Sequence, residues 1–156
     1  MEISELTTEE CRSLLTRASV GRLGCSFENQ PYVVPIYFAY DTGYLYVFST
    51  LGQKVKWMRL NPKVCVQTDE IQSEGQWSSV VVNGEYEELP EPQYAAERQQ
   101  ATALLAKRYH WWLNALGERQ LRVGDKPIDP LFFRIRIESM SGLRAADETG
   151  ARVAMR

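Results

Sequence analysis

The chain has 156 residues, a formal net charge of −2, 44% hydrophobic and 24% charged residues. That length is a prior of about one domain and buries roughly two thirds of its unfolded surface, so no disulfide or metal staple is required. The charge lacks the basic surplus of a general nucleic-acid binder, and no apolar run approaches the roughly 20 residues of a membrane-spanning helix.

Cys11, Cys25 and Cys65 are scattered, without C-x-x-C spacing, and read as reduced thiols. Met1 is followed by the acidic, polar "EISELTTEE", which is not a signal peptide. A cytoplasmic location is expected. Residues 8 to 18 read as a helix: Thr7 with Glu10 fits a capping box, and Cys11, Leu14, Leu15 and Ala18 recur at helical spacing. "RLGCSF" and "PYVVPIYFAY" read as strands around "ENQP", with turn chemistry from Asn29 and Pro31. "DTG" makes a second turn before the strand "YLYVF". Such short connections imply antiparallel pairing. Pro35 cannot donate to a ladder, so it marks an edge, a bulge or a close approach to the backbone.

"STLGQKVKWMRLNP", residues 49 to 62, reads as a step from strand to short helix. "KVCVQTDEI" follows as a strand with Val64, Val66 and Thr68 alternating. "WSSVVVNGEYEEL" is a long strand in which Gly84 marks a bulge or a close approach. Residues 93 to 116 read as one long helix between Pro92 and Gly117. "LFFRIRIESM" is a last strand, with Leu131, Phe133, Ile135 and Ile137 on one face. From about 143 a small, polar, flexible tail is expected. The fold class is thus mainly β with α (α+β): six antiparallel strands that close into a small barrel with flanking helices. It forms a single domain over 1–156.

The sequence offers little side-chain chemistry. His110, the only histidine, sits in a helical pattern without a nucleophile elbow, and a packing or surface role is expected over a triad role. No Cys or His pair has metal-ligand spacing. Chemistry would therefore come from a bound cofactor, but the dinucleotide fingerprint is absent. The segment 49–56 stands out. Helix-start amides and the helix dipole make an anion pocket, Ser49 and Thr50 can donate hydroxyl hydrogen bonds, and Lys54 can supply the counter-charge. Lys56 is two residues on and points elsewhere. A solvated helix with snorkelling lysines is the competing reading.

The order of G-R-L at 21–23, P-Y-V-V-P at 31–35, Y-D-x-G at 40–43, S-x-x-G-x-K at 49–54, N-P-x-V at 61–64 and S-V-V-V-x-G at 79–84 resembles a known family. It is that of the FMN-binding split barrels related to pyridoxamine 5′-phosphate oxidase, with the small nitroimidazole-resistance-type members most similar. R-I-x-I-E at 134–138 adds to it. The resemblance implies a six-stranded antiparallel split β-barrel and a homodimer with flavin at the subunit interface. It implies that Ser49, Thr50 and Lys54 bind the FMN phosphate, with Gln53 at a position often basic and Lys56 compensating. Val34, Pro35, Ile36 and Tyr37 would run beside the isoalloxazine ring, Trp77, Ser78 and Ser79 would lie near it, and Trp111 or Trp112 would reach the partner's site.

Phe48 stands where nitroimidazole-resistance-type members often carry histidine, and the oxidase's C-terminal tryptophan- and arginine-containing motif is missing. Turnover of pyridoxamine 5′-phosphate is not expected. The implied function is a flavin-dependent oxidoreductase passing electrons or hydride to a small-molecule acceptor. The alternatives are a non-catalytic flavin- or haem-binding module and a ligand-free interaction dimer.

Overall fold

The computed structural model describes residues 1–107, 122–123, 126–127 and 130–147. The elements in chain order are β1 (Glu2–Glu5), α1 (Thr8–Arg17), β2 (Val20–Phe27), β3 (Gln30–Asp41), β4 (Tyr44–Thr50), α2 (Gln53–Leu60), β5 (Lys63–Ser73), β6 (Gln76–Glu88), α3 (Ala95–Ala106), β7 (Arg122–Val123), β8 (Lys126–Pro127) and β9 (Pro130–Ala146). No helix among the described residues is long and apolar enough to cross a membrane.

The six expected strands are β2, β3, β4, β5, β6 and β9. They pair in the order β9-β4-β3-β2-β5-β6, and β6 returns to β9 to complete a ring. Every pairing is antiparallel. Local chemistry sets the two tight hairpins. Glu28 and Asn29 both take positive φ (49° and 67°), as do Thr42 and Gly43 (42° and 84°). Two consecutive left-handed residues match the twist of the flanking strands. Pro31, expected in the first turn, is already part of β3. At the helix α1 the capping box is present: the Thr7 hydroxyl accepts from the Glu10 amide and the Glu10 carboxylate accepts from the Thr7 amide, each at 3.1 Å.

Alternate residues of each ring strand point inward. Leu23, Ile36, Phe38, Leu45, Val47, Val66, Val80, Val82, Phe133 and Ile135 form the core, joined by Cys11, Leu14 and Leu15 of α1 and Val55 and Met58 of α2. Leu131 and Ile137 pack against it from the same face of β9, as their spacing predicts. Burying each large apolar side chain contributes about 1.5–3 kcal/mol. A second cluster lies on the other face of β4 and β9, where Tyr46 and Phe132 meet Ala101 and Leu105 of α3.

Three features depart from the sequence reading. β1 is an additional strand, paired Glu2–Glu5 to Ala146–Leu143. The segment from 143 is therefore strand as far as Ala146, held by β1 and by Trp77–Ser79 of β6. A short β7–β8 hairpin also lies outside the ring. The second half of the predicted long helix, with His110, Trp111 and Trp112, lies outside the described residues.

Ring closure depends on Gly84. The β6–β9 register shifts between Asn83 and Gly84, and a Cβ at Gly84 would overlap the backbone carbonyl of Arg136 and approach Ile135 Cγ2 to 2.8 Å. Both readings of this glycine, bulge and close approach, hold. Gly84→Ala should destabilise the fold by about 3 kcal/mol through overpacking against backbone, read as a lower urea midpoint at unchanged slope.

Candidate functional site at the split between β3 and β4

The β3–β4 hairpin pairs Asp41↔Tyr44, Tyr40↔Leu45, Ala39↔Tyr46 and Phe38↔Val47, and there the pairing ends. Both strands run on. Residues 30–37 of β3 stay with β2, whereas Phe48, Ser49 and Thr50 stay with Phe132, Leu131 and Pro130 of β9. Continuing the register would set Tyr37, Ile36 and Pro35 opposite Phe48, Ser49 and Thr50. Instead the two strands part, and those residues stand on opposite walls of the split.

The open wall has a definite polarity. The Phe38 amide donates to the Ser19 carbonyl at 3.0 Å, so the even-numbered residues of β3 direct their backbone groups at β2. By the alternation of an antiparallel ladder, the Val33 amide and carbonyl and the Pro35 carbonyl face the split. Pro35 therefore removes a donor from an edge, which is where a strand tolerates proline. Side chains alternate the other way. Ile36 is buried and Val34 packs on the core, while Pro35 and Tyr37 are exposed. Val34 and Ile36 can thus offer a ligand little beyond the wall itself.

On the second wall, Ser49 is 8% exposed and is one of two buried polar side chains among the described residues. The other, Thr68, donates a good hydrogen bond to the Val20 carbonyl at 2.8 Å. Among the described residues Ser49 donates only to its neighbour's carbonyl, that of Thr50, at 3.2 Å, which is long for a hydroxyl donor. A buried hydroxyl with so weak a partner is placed to serve an incoming acceptor. Thr50 is half-buried beside it.

The chain then turns at Gly52 into α2. Gly52 provides no side-chain cap, and the first turn of the helix has no acidic residue. The Gln53, Lys54 and Val55 amides precede the first intrahelical donor, since Lys56 donates to the Gly52 carbonyl at 3.1 Å. Unpaired amides and the helix dipole favour an anion here. Space in front of Gly52 is open, with nothing within 4 Å of a built Cβ.

The two lysines separate as their spacing requires. Lys56 and Gln53 are exposed, while Lys54 is half-buried. Burial pushes the Lys54 pKa below the ordinary lysine value, and the Cys25 sulfur opposes the shift. The same burial pushes the Cys25 thiol up, with Cys65 adding and Lys54 opposing. Among the described residues no carboxylate pairs with Lys54. Among the described residues it is a partly desolvated ammonium without an anion, in the first turn of the helix and five residues after an underused hydroxyl.

Other expected residues lie elsewhere. Trp77, Ser78 and Ser79 begin β6, which is separated from β3 around the ring by β2 and β5; Ser79 Oγ accepts from Gln67 Nε2 at 3.0 Å. One chain does not bring them to the split. Phe48 points away from it, edge-on to Phe132 at 5.3 Å between centroids in the α3 cluster. Sequence reading missed how α2 is aimed: Trp57 packs on Tyr32 of β3 at 5.7 Å, and Arg59 donates to Glu88 of β6 at 2.5 Å. The aromatic pattern signals the first tie, but nothing local signals the second.

A ring of six antiparallel strands opened between β3 and β4, with a strand-to-helix anion step on one wall, is the architecture that the motif order suggested. The family profile described as pyridoxamine 5′-phosphate oxidase matches residues 7–144. The chain belongs to that family. An uncharacterised protein of Rhizobium meliloti (strain 1021) is 39% identical over 155 residues, covering 94% of this chain and 97% of the relative. The crystal structure of an FAD-binding protein from Mesorhizobium loti is 43% identical with a TM-score of 0.79, covering 94% of this chain and all of that one. A Bacteroides thetaiotaomicron protein ascribed to 5-nitroimidazole antibiotic resistance has a TM-score of 0.65 at 21% identity, covering 95% and 93%, and shares the fold. This oxidase-family chain is therefore a split barrel, with its candidate site at the split.

The burial of Lys54 has a testable sign. Its depressed pKa means that the folded state disfavours the charged form. The resulting penalty is fully present below the folded pKa and is relieved as pH rises through it toward the ordinary value near about 10.4. Ligand-free Lys54→Met should melt higher than wild type at neutral pH, by about 2–4 °C for a relief near 1 kcal/mol in a chain of this length. Calorimetry across pH should show the gap closing in alkaline buffer.

Proposed function

We propose that this chain binds a flavin nucleotide, FMN, in the split and acts as a flavin-dependent oxidoreductase passing electrons or hydride to a small-molecule acceptor. The observation that carries the reading is the pairing of walls. Pro35 and Tyr37 stand across the split from Ser49 and Thr50, and the second wall leads into a helix start whose half-buried lysine has no carboxylate partner among the described residues. The donors fit a phosphate: two hydroxyls, three amides and an ammonium, with no carboxylate in residues 33–37 or 48–54 to repel it. The family match and the 43% identical FAD-binding relative support flavin as the ligand class. FAD carries the same ribityl phosphate, so either nucleotide would use this grip.

A bound flavin supplies reversible electron transfer at its ring. Ser49 and Thr50 would donate to the phosphate oxygens, Lys54 would neutralise their charge, and Gln53 and Lys56 would border it. Edge groups of Val33 and Pro35 would meet the polar rim of the ring. Trp77, Ser78 and Ser79 lie on β6, separated around the ring from β3 by two strands and from β4 by one, and a homodimer would let a second copy bring these residues to the site. Exposed Val20, Val33, Tyr37, Val81 and Leu143 give these strands an apolar outer surface suited to such a partner.

A binding module without turnover is the second reading. It is favoured by the lack of any His, Asp or Glu in either wall segment. The purified protein should carry a yellow flavin chromophore or take up added FMN, and chromatography of the released flavin distinguishes FMN from FAD. Lys54→Ala should weaken FMN binding by about 1.5–3 kcal/mol, the value of a charge-assisted contact. Protein that takes up no flavin would overturn the reading. Bound flavin without oxidation of NADH or NADPH in the presence of quinones or nitro compounds would favour the module.

A further inference from the structure

The aim of α2 is set by aromatic packing at Trp57 and by a polar tie at its last turn, remote from the split. The helix has eight residues and buries only Val55 and Met58. Such a short helix is marginal on its own and takes its orientation from tertiary contacts. Val55 and Met58, three apart, form one line of contact, and half-buried Trp57 braces the middle of the helix against Tyr32 and Phe27, which leaves the last turn to be held by polar contacts. The polar tie completes the fixing of its roll at that end. Arg59 Nε donates to Glu88 Oε1 at 2.5 Å, and the Tyr86 hydroxyl donates to the same oxygen at 2.6 Å. Tyr86 is 8% exposed and its ring packs on Phe133 at 5.1 Å, so the acceptor is mounted on the ring closure itself. The Tyr86 amide donates to the Pro62 carbonyl at 2.8 Å, and Asn61 Nδ2 donates to the Ser26 carbonyl at 3.0 Å. Burial would raise the Glu88 pKa, but the hydrogen bonds from Arg59 and Tyr86 hold it below the usual carboxylate range, so it stays an acceptor for both.

We propose that Arg59, Glu88 and Tyr86 are positioning residues that hold the first turn of α2, and with it Lys54, in register with a ligand phosphate. The inference rests on the phosphate-binding reading of the split. It assigns these residues no contact with the ligand. Loosening them should therefore erode the part of affinity due to the phosphate and leave the part due to the ring.

Dissociation constants of FMN and of riboflavin, identical but for the phosphate, separate these parts. For wild type the ratio of riboflavin to FMN constants measures the phosphate contribution. In Glu88→Gln that ratio should fall about tenfold, the scale of a weakened charge-assisted contact, while the riboflavin constant stays within about twofold, well inside that scale. Tyr86→Phe keeps the ring packing and should lower the ratio in the same direction if Glu88→Gln does not fold. An unchanged ratio in these variants, or a parallel loss for both ligands, would overturn the positioning role while leaving the phosphate site intact. A wild-type ratio near one would instead overturn the phosphate site, and the positioning role with it.

Discussion

Two strands of a tight hairpin stop pairing after four residue pairs although each continues. β3 remains with β2 and β4 remains with β9, because each has an inner face to bury against the common core: Ile36 on one side, Val47 on the other. Core burial on both sides outweighs the ladder bonds that the hairpin forgoes. The barrel therefore opens there rather than at another seam. The parting leaves polar backbone on the β3 edge and forces β4 to find another course, which is the turn at Gly52 and the helix α2.

The site follows from that parting. Backbone at an open edge is costly to bury without partners, as is a hydroxyl held only by a 3.2 Å bond to its own neighbour. A half-buried lysine with no carboxylate partner among the described residues adds a third group that a ligand could satisfy. The first lies on the β3 wall and the other two on the β4–α2 wall, and an anionic ligand with a polar ring would satisfy them together. The stability that the folded protein forgoes here is the counterpart of the affinity it would gain. Elsewhere the charges are well matched. On the β6–β9 seam Glu87 accepts from Arg134 at 2.8 Å and from Arg136 at 3.1 Å, and Arg134 lies 4.1 Å from the centre of the Tyr44 ring.

Much of this was legible in the sequence, for physical reasons. The ring strands show period-two burial, the capping box at Thr7 and Glu10 is a local motif, and proline at 35 and glycine at 84 mark backbone positions with few alternatives. Ser49, Thr50 and Lys54 could be named because a hydroxyl-glycine-lysine step is local chemistry. What stayed hidden depends on distant pairing. "EISE" and "SGLRAA" have no strand pattern of their own and become strands by finding each other, 141 residues apart at Ile3 and Arg144's neighbour Ala145 in register. The Arg59–Glu88 tie spans 29 residues, and the distance of Trp77–Ser79 from the split depends on strand order, which chain order does not reveal.

The central claim is that both walls of the split grip one flavin. Backbone hydrogen exchange with and without bound FMN tests it most directly, since protection reports local opening residue by residue. The account predicts slower exchange on binding in two separate stretches at once, residues 49–55 and the Val33 amide. Bound FMN that protects neither stretch, or only amides on strands away from the split, would contradict it.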